Sequence, residues 1–230
     1  MIYVKSSLAV SLALGVLLAA SAAIARSDSL DPLKGRAAMN DSAGAIKPTA
    51  SGNPVAGKEK SRICQGCHGV DGNSTDEQIP KLAGQYEDYI SKQLRNYQAG
   101  TRSHQLMNSM AAAISDEDLA DISSYFAHQA KMKGNGSTAS ERGKLLFLKG
   151  NIADMVMNCV GCHGASGKGL VPDAPMFPVI GGQHKAYLLK QLIEFKQDDR
   201  VNSPNAIMNK TVKSLNDADL EALAEYLSVQ

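Results

Sequence analysis

The chain has 230 residues, 43% of them apolar and 20% charged, with a formal net charge of +1. This composition is that of a soluble protein with a packed core, and the length allows one large domain or two small ones. The small net charge argues against nucleic acid as the main partner, because nucleic-acid binding normally requires a clear basic excess.

Residues 1–25 are typical of a secretory signal peptide. Lys5 supplies a positive start, residues 8–20 form an apolar run, and Ala23 and Ala25 fit a cleavage site of small residues. The alternative is an uncleaved membrane anchor, but the run is shorter and richer in alanine than a bilayer-spanning helix requires. Residues 26–53, which are rich in small and polar residues without a periodic pattern, are predicted to be a flexible leader.

The rest of the chain contains two copies of one sequence pattern. Residues 79–85 (IPKLAGQ) align with residues 177–183 (FPVIGGQ), and the pattern Asp-x-Asp-Leu occurs once in each copy. Two copies indicate a duplicated domain rather than a solenoid. We predict one domain at residues 54–130, a turn-forming linker at 131–140 and a second domain at 141–230.

Each copy is predicted to be helical, because apolar residues recur at steps of three or four and suitable capping residues precede these stretches. Helices are expected at residues 55–63, 85–99, 140–148 and 183–196, and a final helix in each copy from the N-caps Ser115 and Asn216. No segment alternates convincingly between apolar and polar residues. The fold class is therefore predicted to be all-α.

Two motifs of the form C-x-x-C-H carry the chemistry, at residues 64–68 (CQGCH) and 159–163 (CVGCH). At this spacing two thiols can add across the two vinyl groups of one haem, and the histidine that follows can ligate the iron. The motifs use every cysteine of the chain. We predict two covalently bound haem c groups, attached through Cys64, Cys67, Cys159 and Cys162 and ligated by His68 and His163.

Three other uses of the cysteines are weaker alternatives. A thioredoxin-type redox pair needs neither the adjacent histidine nor a second copy. Disulfides within C-x-x-C would close loops too small to stabilise much, and a zinc site would leave both histidines idle. Covalent haem also agrees with the signal peptide, since haem is attached on the outer side of a bacterial inner membrane. Together the two observations predict a periplasmic protein.

The second axial ligand of each iron is predicted from the repeat. Met107 lies eight residues before Ser115, Met208 lies eight residues before Asn216, and these are the only methionines that superimpose when the copies are aligned. We therefore predict Met107 and Met208 as ligands; thioether sulfur favours ferrous iron and raises the reduction potential. With both axial positions filled, neither iron has a vacancy for a substrate, which describes an electron carrier rather than an enzyme.

The other methionines and histidines are expected to have different roles. Methionines without a counterpart in the other copy are expected to be packing residues: Met110, Met155, Met157 and Met176. His104 is the strongest rival ligand but has no counterpart, so the remaining histidines are expected to be surface or helix-terminal groups: His104, His128 and His184. Pro80 and Pro178 are expected either to support an axial histidine through a backbone carbonyl or simply to act as helix stops before Gln85 and Gln183.

The duplicated C-x-x-C-H, the strings at 79–85 and 177–183, the paired methionines and the final helices resemble the di-haem cytochromes c4, from about residue 54 to the C-terminus. The resemblance implies two tandem class I cytochrome c domains related by approximate two-fold symmetry, with haem propionate edges facing each other between the domains. It also implies that Pro80 and Pro178 hydrogen-bond the axial histidines and that Met107 and Met208 are the distal ligands. Gly57 and Gly143 would then let the first helix of each domain cross closely over Tyr125 and Tyr226 on the last.

The resemblance implies a function in respiration. Such proteins pass single electrons in the periplasm from a membrane-bound quinol-oxidising complex or a soluble donor to a terminal oxidase, with peripheral membrane association left open. Residues 54–130 carry a net charge of −3 and residues 131–230 a net charge of +2, a modest dipole that could orient the protein on two partners. The first alternative is a haem-carrying subunit of a larger dehydrogenase. A di-haem redox enzyme is the second, and it would require an open or exchangeable iron.

Overall fold

The computed structural model describes residues 51–170 and 176–230. The predicted signal peptide, most of the predicted leader and residues 171–175 lie outside the described residues. Within them the regular structure is helical, apart from an isolated bridge between Asn151 and Val156, and the all-α prediction is confirmed. None of the helices in these two stretches combines the length and the hydropathy of a membrane-spanning segment.

The helices form two similar series. The first is α1 (Pro54–Lys60), α2 (Arg62–His68), α3 (Glu87–Gln98), α4 (Gln105–Ala112) and α5 (Asp116–Ala127). The second is α6 (Glu141–Lys149), α7 (Val160–His163), α8 (Lys185–Gln197), α9 (Ile207–Val212) and α10 (Asp217–Ser228), with 3₁₀ turns at Ala165–Gly167 and Pro204–Ala206. We call α1–α5 the first lobe and α6–α10 the second lobe.

The last helix of each lobe begins as its sequence predicts. The side chain of Ser115 accepts a hydrogen bond from the N–H of Asp118 at 3.1 Å, and that of Asn216 accepts one from the N–H of Asp219 at 2.9 Å. The residues predicted to face inward are buried in both helices: Leu119, Ile122, Phe126, Leu220, Leu223 and Leu227. The helix α5 therefore forms the centre of the first lobe's apolar core, and α10 forms that of the second.

The helix predicted at 55–63 is wrong in extent, because it is divided into α1 and α2 at the fully buried Ser61. The Ser61 hydroxyl donates to the carbonyl of Lys58 at 3.1 Å, a local bond that competes with continuation of a helix. The helices α4 and α9 were not predicted. Both are short, and α4 is capped by the ring of His104, which accepts from the N–H of Met107 at 3.3 Å.

Two glycines allow the first and last helices of each lobe to cross closely. A Cβ at Gly57 would lie 1.9 Å from the carbonyl oxygen of Asp121 and 2.9 Å from Cβ of Tyr125. A Cβ at Gly143 would lie 2.8 Å from Cβ of Tyr226 in α10. No side chain fits at such a contact, so the close crossing expected at both glycines is confirmed.

Reciprocal hydrogen bonds join the two lobes. The Gln85 amide donates to the carbonyl of Val179 at 2.8 Å, and its oxygen accepts from the Val179 N–H at 2.9 Å. Gln183 makes the same pair of bonds with Lys81 in the other direction. Since Gln85 and Gln183 occupy equivalent positions in the repeat, the contact has the approximate two-fold symmetry that was predicted.

The segment predicted as a linker also takes part in packing. Met132 is 1% exposed, its N–H donates to the carbonyl of Ala83 at 3.2 Å, and its carbonyl accepts from Lys168 at 2.8 Å. Residues 131–134 thus contact both lobes rather than only connecting them.

Candidate haem sites

A single cavity of about 1150 Å³ is lined by residues of both lobes and by apolar side chains for most of its surface. It exceeds the roughly 300–1,000 Å³ of an ordinary small-molecule site. Every residue predicted for the haem sites lines it: Cys64, Cys67, His68, Pro80, Met107, Cys159, Cys162, His163, Pro178 and Met208. Residues far apart in sequence are thus brought to one space.

The cysteines lie on the helices that carry the C-x-x-C-H motifs, α2 in the first lobe and the start of α7 in the second. None of the four is joined in a disulfide bond. Burial raises the pKa of Cys64, and it raises the pKa of Cys159 to about 11. The zinc alternative requires at least three His, Cys, Asp or Glu side chains placed around one ion. No such group is found in residues 51–170 and 176–230.

The two motif histidines are buried and held by equivalent hydrogen bonds. Nδ1 of His68 lies 2.9 Å from the carbonyl oxygen of Pro80, and Nδ1 of His163 lies 2.9 Å from that of Pro178. A carbonyl oxygen can only accept, so Nδ1 carries the hydrogen and Nε2 keeps its lone pair. Burial lowers the pKa of both histidines, and the bond to the carbonyl opposes this effect only in part. The lowered pKa favours the neutral ring, in which Nε2 is available as a metal ligand.

The two repeat-related methionines lie at equivalent places. Met107 is in α4 and Met208 in α9, each half-buried against the core of its own lobe. A side chain holds the backbone N–H of each methionine: the His104 ring accepts from Met107 N–H, and the Ser203 hydroxyl accepts from Met208 N–H at 3.2 Å. His104 is thus an exposed helix-terminal residue, as predicted.

The expectations for the remaining histidines and methionines are only partly met. His128 ends α5 and donates from Nδ1 to the carbonyl of Ser124 at 2.8 Å, as a helix-terminal group. His184 precedes α8, but its Nε2 crosses to the first lobe and contacts the carbonyl of Ser74 at 3.0 Å. The three methionines of the second lobe that were expected to be packing residues lie outside the lobe core on loop segments and line the cavity: Met155, Met157 and Met176.

Sequence reasoning missed a polar network at the lobe boundary of the cavity. Its members are Arg102, Arg200, Gln93, Gln191, Tyr89 and Tyr187. The glutamines and tyrosines recur in the repeat and could have been found from it. The arginines stand five and eight residues before their methionines, so an alignment on the methionines does not pair them.

The residues of the cavity fit two covalently bound haem groups. Paired thiols, an imidazole with a free Nε2 and an apolar lining are present in each lobe. The side-chain amide nitrogen of Gln93 is buried without a hydrogen-bond partner among the described residues, and Gln93 lines the cavity. An acceptor on a group bound in the cavity would satisfy this buried donor.

Comparisons with known proteins agree with this geometry. The family described as Cytochrome c matches residues 55–130 and 140–229. Cytochrome c4 from Pseudomonas aeruginosa is 39% identical over 180 residues, which cover 77% of this chain and 89% of that protein. The thiosulfate dehydrogenase electron acceptor of Stutzerimonas stutzeri is 33% identical over 181 residues, covering 76% of this chain and 80% of that protein.

A solved structure is similar over the same region. The crystal structure of reduced recombinant cytochrome c4 from Pseudomonas stutzeri has a TM-score of 0.73 and 38% sequence identity, and the match covers 77% of this chain and 98% of that chain. The prediction of tandem cytochrome c domains is thereby confirmed. The chain belongs to the cytochrome c family and, within it, to the di-haem cytochromes c4, whose two domains each carry a covalently attached haem c.

Proposed function

We propose that this di-haem cytochrome is a periplasmic carrier of single electrons, which it takes from a quinol-oxidising complex or a soluble donor and passes to a terminal oxidase. One observation carries the proposal. In each lobe a buried, neutral histidine and a repeat-related methionine line the same cavity, so each lobe offers two axial ligands for one iron.

We assign the attachment residues by lobe. Cys64 and Cys67, which line the cavity with His68 and Met107, would hold the haem of the first lobe, and the histidine and methionine would ligate its iron. The same roles fall to four residues of the second lobe: Cys159, Cys162, His163 and Met208. When bound, each haem supplies an iron that accepts and releases one electron. An iron ligated by both a histidine and a methionine would have no position left for a substrate, and the proposal is therefore a carrier rather than an enzyme.

The chain's own residues orient the ligands and exclude water. The carbonyls of Pro80 and Pro178 fix the ring orientation and tautomer of the two histidines. Apolar side chains of the two lobe cores line the cavity: Ile90, Leu94, Phe126, Leu188, Phe195 and Leu227. Such a lining limits solvent access, which together with a thioether ligand favours the reduced iron.

Ligand substitution tests this assignment. In the mature protein with both haems attached, Met107→His and Met208→His should each lower the potential of one haem by on the order of 100 mV, within the roughly 0.8 V range that axial ligands cover. Met110→Leu is the control, because Met110 lines the same cavity from α4 but has no repeat counterpart. A shift in neither haem refutes the ligand set. Binding of carbon monoxide to the reduced native protein would reveal an open iron and favour an enzyme.

Electron delivery tests the carrier role. Washed membranes of the source bacterium, supplied with a quinol, should reduce the added protein, and their oxidase should reoxidise it in air. Both reactions are followed from the haem absorbance. Failure of both reactions, with the His/Met ligands intact, would exclude the respiratory role while leaving the haem assignment standing.

A second candidate partner is favoured by one comparison. The relative from Stutzerimonas stutzeri is named a thiosulfate dehydrogenase electron acceptor. Joining two thiosulfate ions through an S–S bond to form tetrathionate releases two electrons, one for each haem. Rapid reduction of the protein by a purified thiosulfate dehydrogenase and thiosulfate, combined with no reduction by quinol-supplied membranes, would select this partner over the quinol-oxidising complex.

A further inference from the structure

The backbone that holds each motif histidine is itself held by the opposite lobe. Nδ1 of His68 lies against the carbonyl of Pro80 in the first lobe. The residue after this proline, Lys81, exchanges two hydrogen bonds of 2.9 Å with the side-chain amide of Gln183 in the second lobe. Gln183 is 4% exposed, so little water is available to replace these bonds. The segment that carries the Pro80 carbonyl is therefore fastened from the second lobe.

The next residue of the second lobe, His184, holds the other side of this proline. Its Nε2 donates to the carbonyl of Ser74 at 3.0 Å, and the Ser74 hydroxyl donates to the carbonyl of Ile79 at 2.6 Å. Ser74 is buried, and Ile79 directly precedes Pro80 in the chain. Both neighbours of the proline are thus bound, one directly and one through Ser74, to two consecutive residues of the other lobe.

The same kind of contact runs in the opposite direction. Nδ1 of His163 lies against the carbonyl of Pro178, and the next residue, Val179, is bound at both backbone groups by Gln85 of the first lobe, at 2.8 and 2.9 Å. The residue after Gln85 is Tyr86, whose hydroxyl also donates to a backbone carbonyl of the second lobe. Each lobe therefore holds the segment that orients the motif histidine of the other lobe.

The hydrogen bond at Nδ1 affects how an imidazole ligates a metal. An acceptor at Nδ1 fixes the orientation of the ring and makes it a more basic ligand. A more basic ligand favours ferric iron, so a weaker bond from Nδ1 to the proline carbonyl raises the reduction potential. The position of each proline carbonyl therefore bears on the potential of the iron in the same lobe.

We propose that the two lobes position each other's iron-binding histidines. Gln183 and His184 are the positioning residues for His68, and Gln85 has the same role for His163. The inference rests on the proposed iron ligands. Because these bonds cross between the lobes, a substitution in one lobe changes the potential of the haem in the other. Bonds that only hold the lobes together would give no such crossed pattern.

Spectroelectrochemical titration of the mature protein with both haems attached tests the crossed pattern. Gln183→Leu and His184→Leu, both in the second lobe, should raise the potential of the first-lobe haem and leave that of the second unchanged. Gln85→Leu should do the reverse. Met107→His identifies which potential belongs to the first lobe. A shift confined to the haem of the substituted lobe, an equal shift in both haems, or no shift overturns the proposal.

Two further variants separate the hydrogen bond of His184 from its bulk and its position. A glutamine amide can donate where Nε2 of histidine does, so His184→Gln should keep the native potentials. Lys185 begins α8, is partly exposed and pairs with Glu221 of its own lobe, so Lys185→Gln should change neither potential. If His184→Gln shifts the first-lobe haem as far as His184→Leu does, the bond to Ser74 is not the cause and the role of His184 is refuted.

The Nδ1 protons of the two motif histidines give a measurement that does not depend on potentials. In reduced protein with nitrogen-15-labelled histidine, NMR follows one Nδ1–H signal for each of them. His184→Leu should move the signal of His68, speed its exchange with solvent and leave the signal of His163 in place. Gln85→Leu should move the signal of His163 alone. An unmoved His68 signal in His184→Leu contradicts the proposal.

The outcome for the positioning residues is distinguishable from that for the ligands. His184 is only half-buried, so His184→Leu remains informative if the glutamine variants fail to fold. If Met107→His still lowers one potential while His184→Leu and Gln85→Leu change neither potentials nor signals, the positioning inference fails and the proposed ligands stand.

Discussion

Gln183 of the second lobe satisfies both backbone groups of Lys81 in the first: its oxygen accepts from the Lys81 N–H at 2.9 Å, and its amide donates to the Lys81 carbonyl at 2.9 Å. Gln85 forms the same pair of bonds with Val179. Both glutamines are buried. The junction of the lobes is therefore formed by two side-chain amides. Each pairs with the N–H and the carbonyl of one residue of the other lobe, as the backbone of a neighbouring β-strand would.

We predict that Gln85→Ala and Gln183→Ala each lower the free energy of unfolding by about 1–3 kcal/mol, because the first leaves the buried N–H and carbonyl of Val179 unpaired and the second those of the partly buried Lys81. Urea denaturation, followed by haem absorbance and circular dichroism, measures the loss. Gln98→Ala is the control: Gln98 also donates two hydrogen bonds to backbone carbonyls, but it is exposed and joins parts of one lobe. Equal losses in Gln85→Ala and Gln98→Ala would contradict the importance of this junction.

The parts of the structure that sequence predicted well depend on local interactions. Ser115 and Asn216 cap helices through residues three positions away, and the spacing of apolar residues identifies the buried face. The haem motifs are equally local, as five consecutive residues contain both thiols and the histidine. The internal repeat allowed the prediction of residues outside these local patterns. Comparison of the two copies selected Met107 and Met208, which line the cavity together with the haem motifs.

The parts that were missed depend on contacts between distant residues. Arg102 and Arg200 share acceptors although they are far apart in sequence, and no spacing rule connects them. Met132 lies in a polar, glycine-containing segment, yet it is buried because both lobes close over it. The helix α9 is stabilised by Asn209, which reaches carbonyls of Phe195 and Arg200 outside its own helix. Such placements follow from the assembled fold.

The helix crossing at Gly143 gives a second prediction. Gly143→Ala should lower the free energy of unfolding by about 1–3 kcal/mol, the usual cost of overpacking, since the added carbon would lie 1.9 Å from the carbonyl oxygen of Ala222. Gly66→Ala is the matched control in α2, where an added Cβ meets nothing within 4 Å. Thermal unfolding of both variants compares them directly. Equal stability of the two would show that α6 and α10 can separate at no cost.

The start of the first lobe should respond to acid through Asp121. Its carboxylate accepts from Lys60 at 2.6 Å and from the Asn53 N–H at 2.7 Å. The bond to Lys60, followed by that to Asn53, holds the pKa of Asp121 below its ordinary value. A carboxyl whose pKa is lower in the folded state stabilises the fold above the unfolded pKa of about 3.9, and this contribution is lost as the pH falls through the folded pKa.

Asp121→Asn is therefore expected to cost about 1 kcal/mol at neutral pH, with a difference from the native protein that shrinks below about pH 4. Unfolding measured between pH 7 and pH 3 checks this. Asp116→Asn removes a carboxylate whose partner is the exposed Arg95, and we expect little effect at any pH. A deficit in Asp121→Asn that stays constant down to pH 3 would rule out the ionised carboxylate as its cause.

The residue after each proposed methionine ligand gives the last prediction. Asn209 is 4% exposed, and its amide donates to the carbonyls of Phe195 and Arg200 at 2.9 Å each and to Asp198 at 3.0 Å. Asn108 makes similar bonds in the first lobe, to the carbonyls of Tyr97 and Arg102. Each asparagine fastens its methionine-bearing helix to the end of the preceding helix and so positions the methionine.

We expect Asn209→Ala to lower the free energy of unfolding by about 1–3 kcal/mol and to weaken the Met208–iron bond alone, because the bonds it loses all lie in the second lobe. The weak long-wavelength absorption band of ferric haem that marks methionine ligation should then lose roughly half its intensity, since one of two haems is affected. Asn108→Ala should remove the other half, and Lys210→Ala, exposed on α9, should remove none. If Asn209→Ala lowers stability but leaves the band unchanged, Asn209 is a structural residue without a positioning role. If Asn209→Ala abolishes the band at both haems, the methionine of one lobe depends on contacts in the other, which contradicts the prediction.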